Sequence, residues 1–272
     1  MASDQINAPV PATTVLLTRD NQKGLEVFMV TRHHKIDFAY GALVFPGGKL
    51  DIQDSDPELL ELCAEQNPNI DDLAVFICGI RETFEEAGVL LAQDAINGKM
   101  ITGQRCAELD IAYRELLHKG SITLLDIMKK ENIELACDKL MPFARWITPR
   151  SFSRRFDASF YLVEIPLDYA ASHDNVESVN SFWTTPTNAL KEADEGRATI
   201  LFATRMNLLK LTKYNTVSSL VETIKKQDVI TVEPHLHEKN GSVTYTIPIE
   251  AGYGLTHFTE NDGPSLKIRS QT

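Results

Sequence analysis

The chain is poor in cysteine, has no surplus of basic residues and contains no long apolar run. Its 272 residues include four cysteines, at positions 63, 78, 106 and 137, with neither CxxC spacing nor a paired framework, so we expect reduced thiols. Lysine and arginine together number 27 against 38 acidic residues, which gives a net charge of -11. A surface that binds nucleic acid needs the opposite balance, and we therefore expect no nucleic-acid partner.

Membrane and export signals are also lacking. No stretch approaches the roughly 18 uninterrupted apolar residues that a membrane-spanning helix needs. The N-terminal segment carries Asp4 without a basic region and an apolar core, and residues 269–272 differ from an SKL-type peroxisomal address. We expect a cytoplasmic protein with no membrane partner. At 43% hydrophobic content, the chain can bury one sizeable core.

An acidic segment at residues 81–89 is the most informative feature that is present. Helical spacing puts Glu82, Glu85 and Glu86 on one face, where like charges repel. Carboxylate ligands of this kind suit Mg²⁺ or Mn²⁺, which binds a few acids together with waters and a substrate phosphate. The alternative is a solvated acidic face in which Arg81 pairs with Glu85.

A glycine turn precedes this segment in the chain. Residues 45–51 read Phe-Pro-Gly-Gly-Lys-Leu-Asp and follow an apolar strand at residues 42–45, so the chain reverses direction there. Without Cβ atoms, Gly47 and Gly48 allow the turn to aim a backbone carbonyl at an ion. An ordinary surface turn would need the same residues.

The turn and the acidic segment together resemble the Nudix box. That pattern is a glycine, five residues, an acid, seven residues, and then Arg-Glu-apolar-any-Glu-Glu-any-Gly-apolar. Gly48 fits the first position and residues 81–89 fit the end, with Thr83 where an aliphatic residue is usual. Asp54 stands at the place of the first acid, but 26 residues separate it from the arginine. Counting backwards from the arginine points instead to Asp72, so both candidates stay open.

The interrupted box is similar to that of the Nudix branch containing the peroxisomal coenzyme A diphosphatases of animals. Other parts of the chain resemble that branch: residues 146–150, 154–157 and 205–209, and Gly41 followed by the Phe-Pro-Gly-Gly of the turn. The resemblance implies an α+β Nudix fold, a mixed β-sheet sandwiched between α-helices. We expect one domain over residues 10–250, with an insertion at 55–72 inside the box, a helical insertion at 95–140, and a C-terminal tail at 251–272.

The resemblance also implies roles for individual residues. Glu85, Glu86 and the Gly48 carbonyl match the family's ligands for Mg²⁺ or Mn²⁺, and Glu82 matches either a further ligand or the catalytic base. Arg81 is expected to orient the glutamates, because a guanidinium holds carboxylates in a fixed fork and keeps its proton.

Substrate contacts are expected from four residues around the turn and further along the chain. Gly47 lies in the turn itself, and Phe45 could stack on a base, although aromatic residues beside apolar strands usually pack in a core. Arg154 and Arg155 could grip the extra phosphate of a coenzyme A-like substrate. Surface ion pairing, for instance with Asp157, is the alternative for the arginines, and Trp146 and Trp183 are assigned to packing.

The resulting functional prediction is a metal-dependent hydrolase of nucleoside diphosphates linked to another moiety. Coenzyme A or its thioesters would yield 3′,5′-ADP and (acyl-)4′-phosphopantetheine, and ADP-ribose, NADH or dinucleoside polyphosphates are the alternatives. A Nudix-fold sensor without catalysis is the rival class, but every acid of the Arg-Glu-any-any-Glu-Glu run is present. The expected partner is a small-molecule nucleotide substrate. A homodimer is possible, and the predicted helices at residues 106–130 either form its surface or cover the domain's own core.

Coarse patterns predict the elements around the box. Residues 13–18 and 25–31 read as a β-hairpin, and Asp56 and Pro57 open a short inserted helix. A longer helix should run from residue 71 or 72 to Ala87, ended by Gly88, with its apolar positions toward the core.

Overall fold

The computed structural model describes residues 8–33, 41–66, 72–174, 176–239 and 242–259. The strands in this part of the chain are β1 (Val10–Asn21), β2 (Gly24–Arg32), β3 (Ala42–Val44), β4 (Gly47–Lys49), β5 (Ala92–Asp94), β6 (Ile133–Leu135), β7 (Met141–Ile147), β8 (Phe156–Glu164), β9 (Ser178–Thr184), β10 (Thr199–Ile200), β11 (Thr231–Val232), β12 (His235–Lys239), β13 (Ser242–Thr246) and β14 (His257–Thr259). The helices are α1 (Pro57–Gln66), α2 (Leu73–Ala87), α3 (Gly103–His118), α4 (Leu124–Glu131), α5 (Pro186–Asp194), α6 (Phe202–Leu211) and α7 (Val217–Ile224).

A mixed sheet forms the centre of the domain. Its order is β10-β3-β2-β1-β8-β7-β11, with β4 also paired to β1 and β9 also paired to β2. The predicted hairpin is confirmed, since β1 and β2 pair antiparallel down to Asn21 and Gly24, while β1 and β8 run parallel. Both faces of β1 are buried: Val15 and Leu17 pack in the core beneath α2, and Leu16 packs with α6 and α7. The sheet therefore lies between helical layers, as the α+β Nudix prediction required.

Helix α2 matches its prediction closely. It ends at Ala87, and Gly88 takes a left-handed conformation with φ of 67°, as expected for a glycine that terminates a helix. Phe76, Ile80 and Phe84 are fully buried against the sheet. Gly79 permits this close packing, because a Cβ there would lie 2.8 Å from the Thr13 Cγ2 atom of β1. This packing of α2 against the sheet positions its glutamates next to β1 and β4.

The insertion in the box forms α1, which packs on α2. Cys63 of this helix is joined by a disulfide to Cys137, with the two Cα atoms 5.9 Å apart. The expectation of four reduced thiols is therefore wrong for this pair, and Cys78 and Cys106 are buried and free. The bond connects the insertion at 55–72 to the one at 95–140.

The second insertion forms α3 and α4, framed by the antiparallel pair β5 and β6. Leu109, Leu117 and Ile127 of these helices are buried in the core cluster that contains α2. The helices of this insertion were expected either to form a dimer surface or to cover the domain's own core, and they cover the core. Ile111 of α3 is nevertheless 88% exposed. A homodimer stays a prediction.

The packed domain extends beyond the predicted end at residue 250. Ala251, Tyr253 and Phe258 are buried in the second core cluster, and β14 completes a small sheet with β12 and β13. The indole Nε1 of Trp146 donates to the Tyr253 hydroxyl at 2.9 Å, which in turn donates to Asn207 Oδ1 at 2.8 Å. The boundary at 251 is therefore corrected to at least 259, and residues 260–272 lie outside the described chain. Among the described helices, none has the length and apolar character needed to cross a bilayer.

Candidate active site

A cleft of about 750 Å³ opens over the glycine turn. Its floor crosses the four neighbouring strands β4, β1, β8 and β7 along one line of paired residues. Lys49 pairs with Ala12, Ala12 with Ala158, and Ala158 with Trp146. Three steps between strands span roughly 14 Å. This line begins beside the acidic helix at β4 and ends at an aromatic cluster, in which the rings of Trp146 and Phe202 lie 5.6 Å apart.

Arg81 organises the acidic part of this cleft. Its Nε and Nη2 donate to Asp54 at 2.7 and 2.9 Å, and Nη2 also donates to the Lys49 carbonyl at 3.0 Å. Its Nη1 donates to both Glu82 and Glu85 at 2.9 Å. Arg81 is only 4% exposed, so the alternative of a solvated acidic face does not apply. A lysine could not make this set of contacts, since it lacks the planar fork.

Asp54 is the acid that meets the helix across the insertion. It is fully buried, and besides Arg81 it accepts a hydrogen bond from the backbone N–H of Asp51 at 2.8 Å. Asp72 instead lies exposed at the start of α2, and its side chain caps no backbone group there. The structure thus resolves the two candidates in favour of Asp54. Between Asp54 and Arg81 the described chain forms α1 and the first half of α2, and the pairing of the two residues is made across this insertion.

The glycine turn touches the glutamates directly. A Cβ on Gly48 would lie 2.3 Å from the carboxyl carbon of Glu82, so this position has room only for glycine while that carboxylate stays in place. The Gly48 carbonyl faces α2, 4.0 Å from the Cys78 Sγ atom. The backbone N–H of Gly47 donates to Glu86 Oε2 at 2.9 Å. Turn and helix therefore form one site.

Burial raises the pKa of all three glutamates. The pKa of Glu82 rises to about 7, mainly through loss of solvent, with Arg81 opposing the shift and the charge of Glu85 adding to it. Burial and the charge of Glu82 raise the pKa of Glu86 well above its ordinary value, against the Gly47 N–H and Arg32. Burial also raises the pKa of Glu85, opposed by Arg81. Burial therefore disfavours the charged form of each carboxylate, and a bound cation would favour it.

This donor set fits a hard divalent cation. Glu82 and Glu85 bind the same Arg81 nitrogen, which brings their oxygens within twice 2.9 Å of each other. Carboxylates and a carbonyl are the ligands that Mg²⁺ and Mn²⁺ prefer. Within the described residues, no group of three acidic, histidine or cysteine side chains is already arranged as a metal site. Each glutamate instead faces Arg81 or Gly47, and binding an ion requires the carboxylates to turn.

The predicted substrate residues separate into two groups. Gly47, Phe45 and Arg154 line the cleft, and the Arg154 guanidinium lies 5.7 Å from the ring centre of Phe156. Phe45 is only 2% exposed and packs in the second core cluster, and its stacking on a base stays a prediction.

Arg155 is placed elsewhere. It is buried, donates to the Thr148 carbonyl and to Glu233 at 2.8 Å each, and is absent from the described cleft lining. The ion pair with Asp157 belongs to Arg145 rather than to Arg154 or Arg155.

Several cleft residues escaped sequence analysis. Arg32, Glu177, Phe202 and Tyr245 come from distant parts of the chain and carry no local motif. Trp146, assigned above to packing, also lines the cleft, and its place in a segment that resembles the coenzyme A branch was the one available signal.

Comparison with known proteins agrees with this geometry. The family model described as the NUDT19 Nudix domain matches residues 65–201, which is half of the chain. An acyl-coenzyme A diphosphatase NUDT19 from Xenopus laevis is 27% identical over 214 residues, covering 64% of this chain and 56% of that protein. The one from Homo sapiens is 25% identical over 206 residues, covering 61% and 55%. The chain thus spans about half the length of these curated relatives.

A solved structure supports the fold independently. The crystal structure of a NUDIX hydrolase from Alicyclobacillus acidocaldarius superposes with a TM-score of 0.62 at 21% identity, covering 80% of this chain and 97% of that one. Nudix hydrolases generally need a divalent metal ion, which agrees with the carboxylate donors beside Gly48. From the family match, the box residues and the fold together, the chain belongs to the Nudix hydrolase superfamily, in the family of the NUDT19 Nudix domain.

Proposed function

We propose that this protein is a metal-dependent hydrolase of the diphosphate bond in coenzyme A or acyl-coenzyme A. The products would be 3′,5′-ADP and (acyl-)4′-phosphopantetheine. The observation that carries the proposal is the hydrogen bond from the glycine turn to Glu86, beside the two glutamates that Arg81 holds, at the head of a cleft that ends on aromatic rings.

The chemistry of diphosphate hydrolysis assigns a task to each group. Glu85, Glu86 and the Gly48 carbonyl would hold Mg²⁺ or Mn²⁺, which when bound shields phosphoryl oxygens and lowers the pKa of water. Glu82 lies against the turn, where it serves as a further ligand or accepts the proton of the attacking water. Arg81 positions Glu82 and Glu85 through one nitrogen, and Asp54 fixes Arg81.

The shape of the cleft supports a long substrate with an apolar end. If the diphosphate binds beside β4, the cleft floor extends roughly 14 Å further, from β4 to β7, and the rest of the substrate can bind along it. That end is formed by Trp146, Phe202 and Tyr245, which suit an apolar group better than a second charged nucleotide. The names of the Xenopus laevis and Homo sapiens relatives support acyl-coenzyme A as the substrate class.

Product analysis by mass tests the proposal. The purified protein is incubated with Mg²⁺ or Mn²⁺ and, separately, coenzyme A, an acyl-coenzyme A, ADP-ribose, NADH and a dinucleoside polyphosphate. We expect metal-dependent 3′,5′-ADP from the first two. AMP from ADP-ribose or NADH alone would contradict the assigned substrate while keeping the chemistry. No product from any of them would contradict the assignment as an enzyme and favour the sensor alternative.

A further inference from the structure

We propose that Arg32 is a substrate-binding residue, whose guanidinium donates hydrogen bonds to a phosphoryl oxygen of the bound diphosphate. The assignment rests on the proposed function, because it names a contact within that same cleft.

The first support is an unsatisfied donor. The Arg32 side chain lines the cleft, and its Nε atom is buried with no hydrogen-bond partner among the described residues. Buried donors without an acceptor are rare in folded proteins and call for an explanation. The neighbouring Arg81 differs in this respect, because both of its terminal nitrogens and its Nε already donate to acceptors. Arg32 therefore has capacity left for a ligand.

The second support is the backbone at this position. The pairing of β2 with β9 shifts register between Thr31 and Arg32, where a bulge places Arg32 opposite Ser178. Bulges of this kind redirect a side chain and are common beside active sites. The Gly41 N–H donates to the Arg32 carbonyl at 3.1 Å and fixes the local chain. The Ser178 hydroxyl is also buried without a hydrogen-bond partner among the described residues, so each of the two paired positions at this bulge carries an unsatisfied polar atom.

The third support is the charge around Arg32. The acids Glu82 and Glu177 line the same cleft as Arg32, yet no ion pair within 4.0 Å joins Arg32 to an acid among the described residues. A cation that is near acids without being paired to one attracts an anionic group. A guanidinium is suited to phosphate in particular because its N–H groups match two oxygens at once.

Binding of a non-hydrolysable probe tests the assignment. Methylene-bridged ADP, in which a methylene group replaces the bridging oxygen of the diphosphate, is titrated by calorimetry in the presence of Mg²⁺ into the wild type, Arg32→Met and Arg32→Lys. Arg19→Met is the matched control, since Arg19 pairs with Glu26, stacks on Trp183 and is absent from the described cleft lining. Thermal melting is recorded for all four proteins.

We expect Arg32→Met to bind the probe about 10- to 100-fold more weakly, Arg32→Lys to recover part of the loss, and Arg19→Met to match the wild type. The melting temperature of Arg32→Met reports whether this variant is folded, and affinities are compared at a temperature at which all four proteins are folded. Equal affinity in Arg32→Met and wild type would overturn the assignment of Arg32 alone. A wild type that does not bind the probe would overturn the proposed function together with it.

Discussion

Replacing Asp54 by asparagine should destabilise the whole domain, although the change removes one oxygen only. Asp54 is fully buried and accepts two hydrogen bonds from Arg81 and one from the backbone of Asp51. The amide would turn two N–H donors toward a guanidinium that is itself buried. Removing one partner of a buried ion pair typically costs about 3–5 kcal/mol, a large part of the roughly 5–15 kcal/mol that stabilises a domain. The midpoint of thermal unfolding should fall by about 6–20 °C.

Asp72→Asn is the matched control for this experiment. It makes the same chemical change at the exposed start of α2, where the carboxylate caps no backbone group. Both variants and the wild type are compared by thermal melting and by the rate of coenzyme A hydrolysis. Asp54→Asn should lose activity even at temperatures where it stays folded, because Arg81 then no longer fixes Glu82 and Glu85. An Asp54→Asn protein that melts with the wild type, or an equal loss in Asp72→Asn, would refute the reasoning.

Three further changes have definite expected outcomes. Glu85→Gln should lower turnover by more than the roughly 10- to 100-fold typical of residues behind a metal ligand while the protein stays folded at the assay temperature, as measured by product formation at saturating Mg²⁺ and by thermal melting. Gly48→Ala should displace the Glu82 carboxylate, since the new Cβ would lie 2.3 Å from its carbon, and activity assays should show a large loss with little change in melting. Tyr253→Phe should cost about 1–3 kcal/mol in urea unfolding, because the buried Trp146 N–H loses its acceptor. Wild-type turnover in Glu85→Gln or in Gly48→Ala would contradict the first two expectations. Wild-type stability of Tyr253→Phe would contradict the third.

The local parts of the fold were predictable because their signals lie within a few residues. Helix α2 follows from the spacing of Phe76, Ile80 and Phe84, and its end follows from Gly88. The β1–β2 hairpin follows from two apolar runs around a polar turn. The resemblance to the Nudix box predicted that α2 and the glycine turn form one site. Neither segment alone indicates this.

The remaining features depend on contacts between distant residues. Asp54 reaches Arg81 across an insertion whose helix α1 packs on α2, and sequence spacing alone could not decide between Asp54 and Asp72. Cys63 and Cys137 are 74 residues apart in the sequence, without a spacing that indicates a pair. Likewise, nothing in the local sequence of Tyr253 shows that it supports Trp146. These three contacts depend on how distant segments pack in the folded core, and the periodicity of the sequence carries no information about them.

The dependence of coenzyme A hydrolysis on Mg²⁺ concentration tests the central claim most directly. Initial rates are measured by mass detection of 3′,5′-ADP, from chelated protein through saturating Mg²⁺, for the wild type and Glu85→Gln. The account predicts no turnover without the ion, a saturable rise in the wild type, and a curve for Glu85→Gln that is both lower and shifted to higher Mg²⁺. Turnover in chelator, or the same activation curve for both proteins, would contradict the assignment of the glutamates beside Gly48 as the metal site.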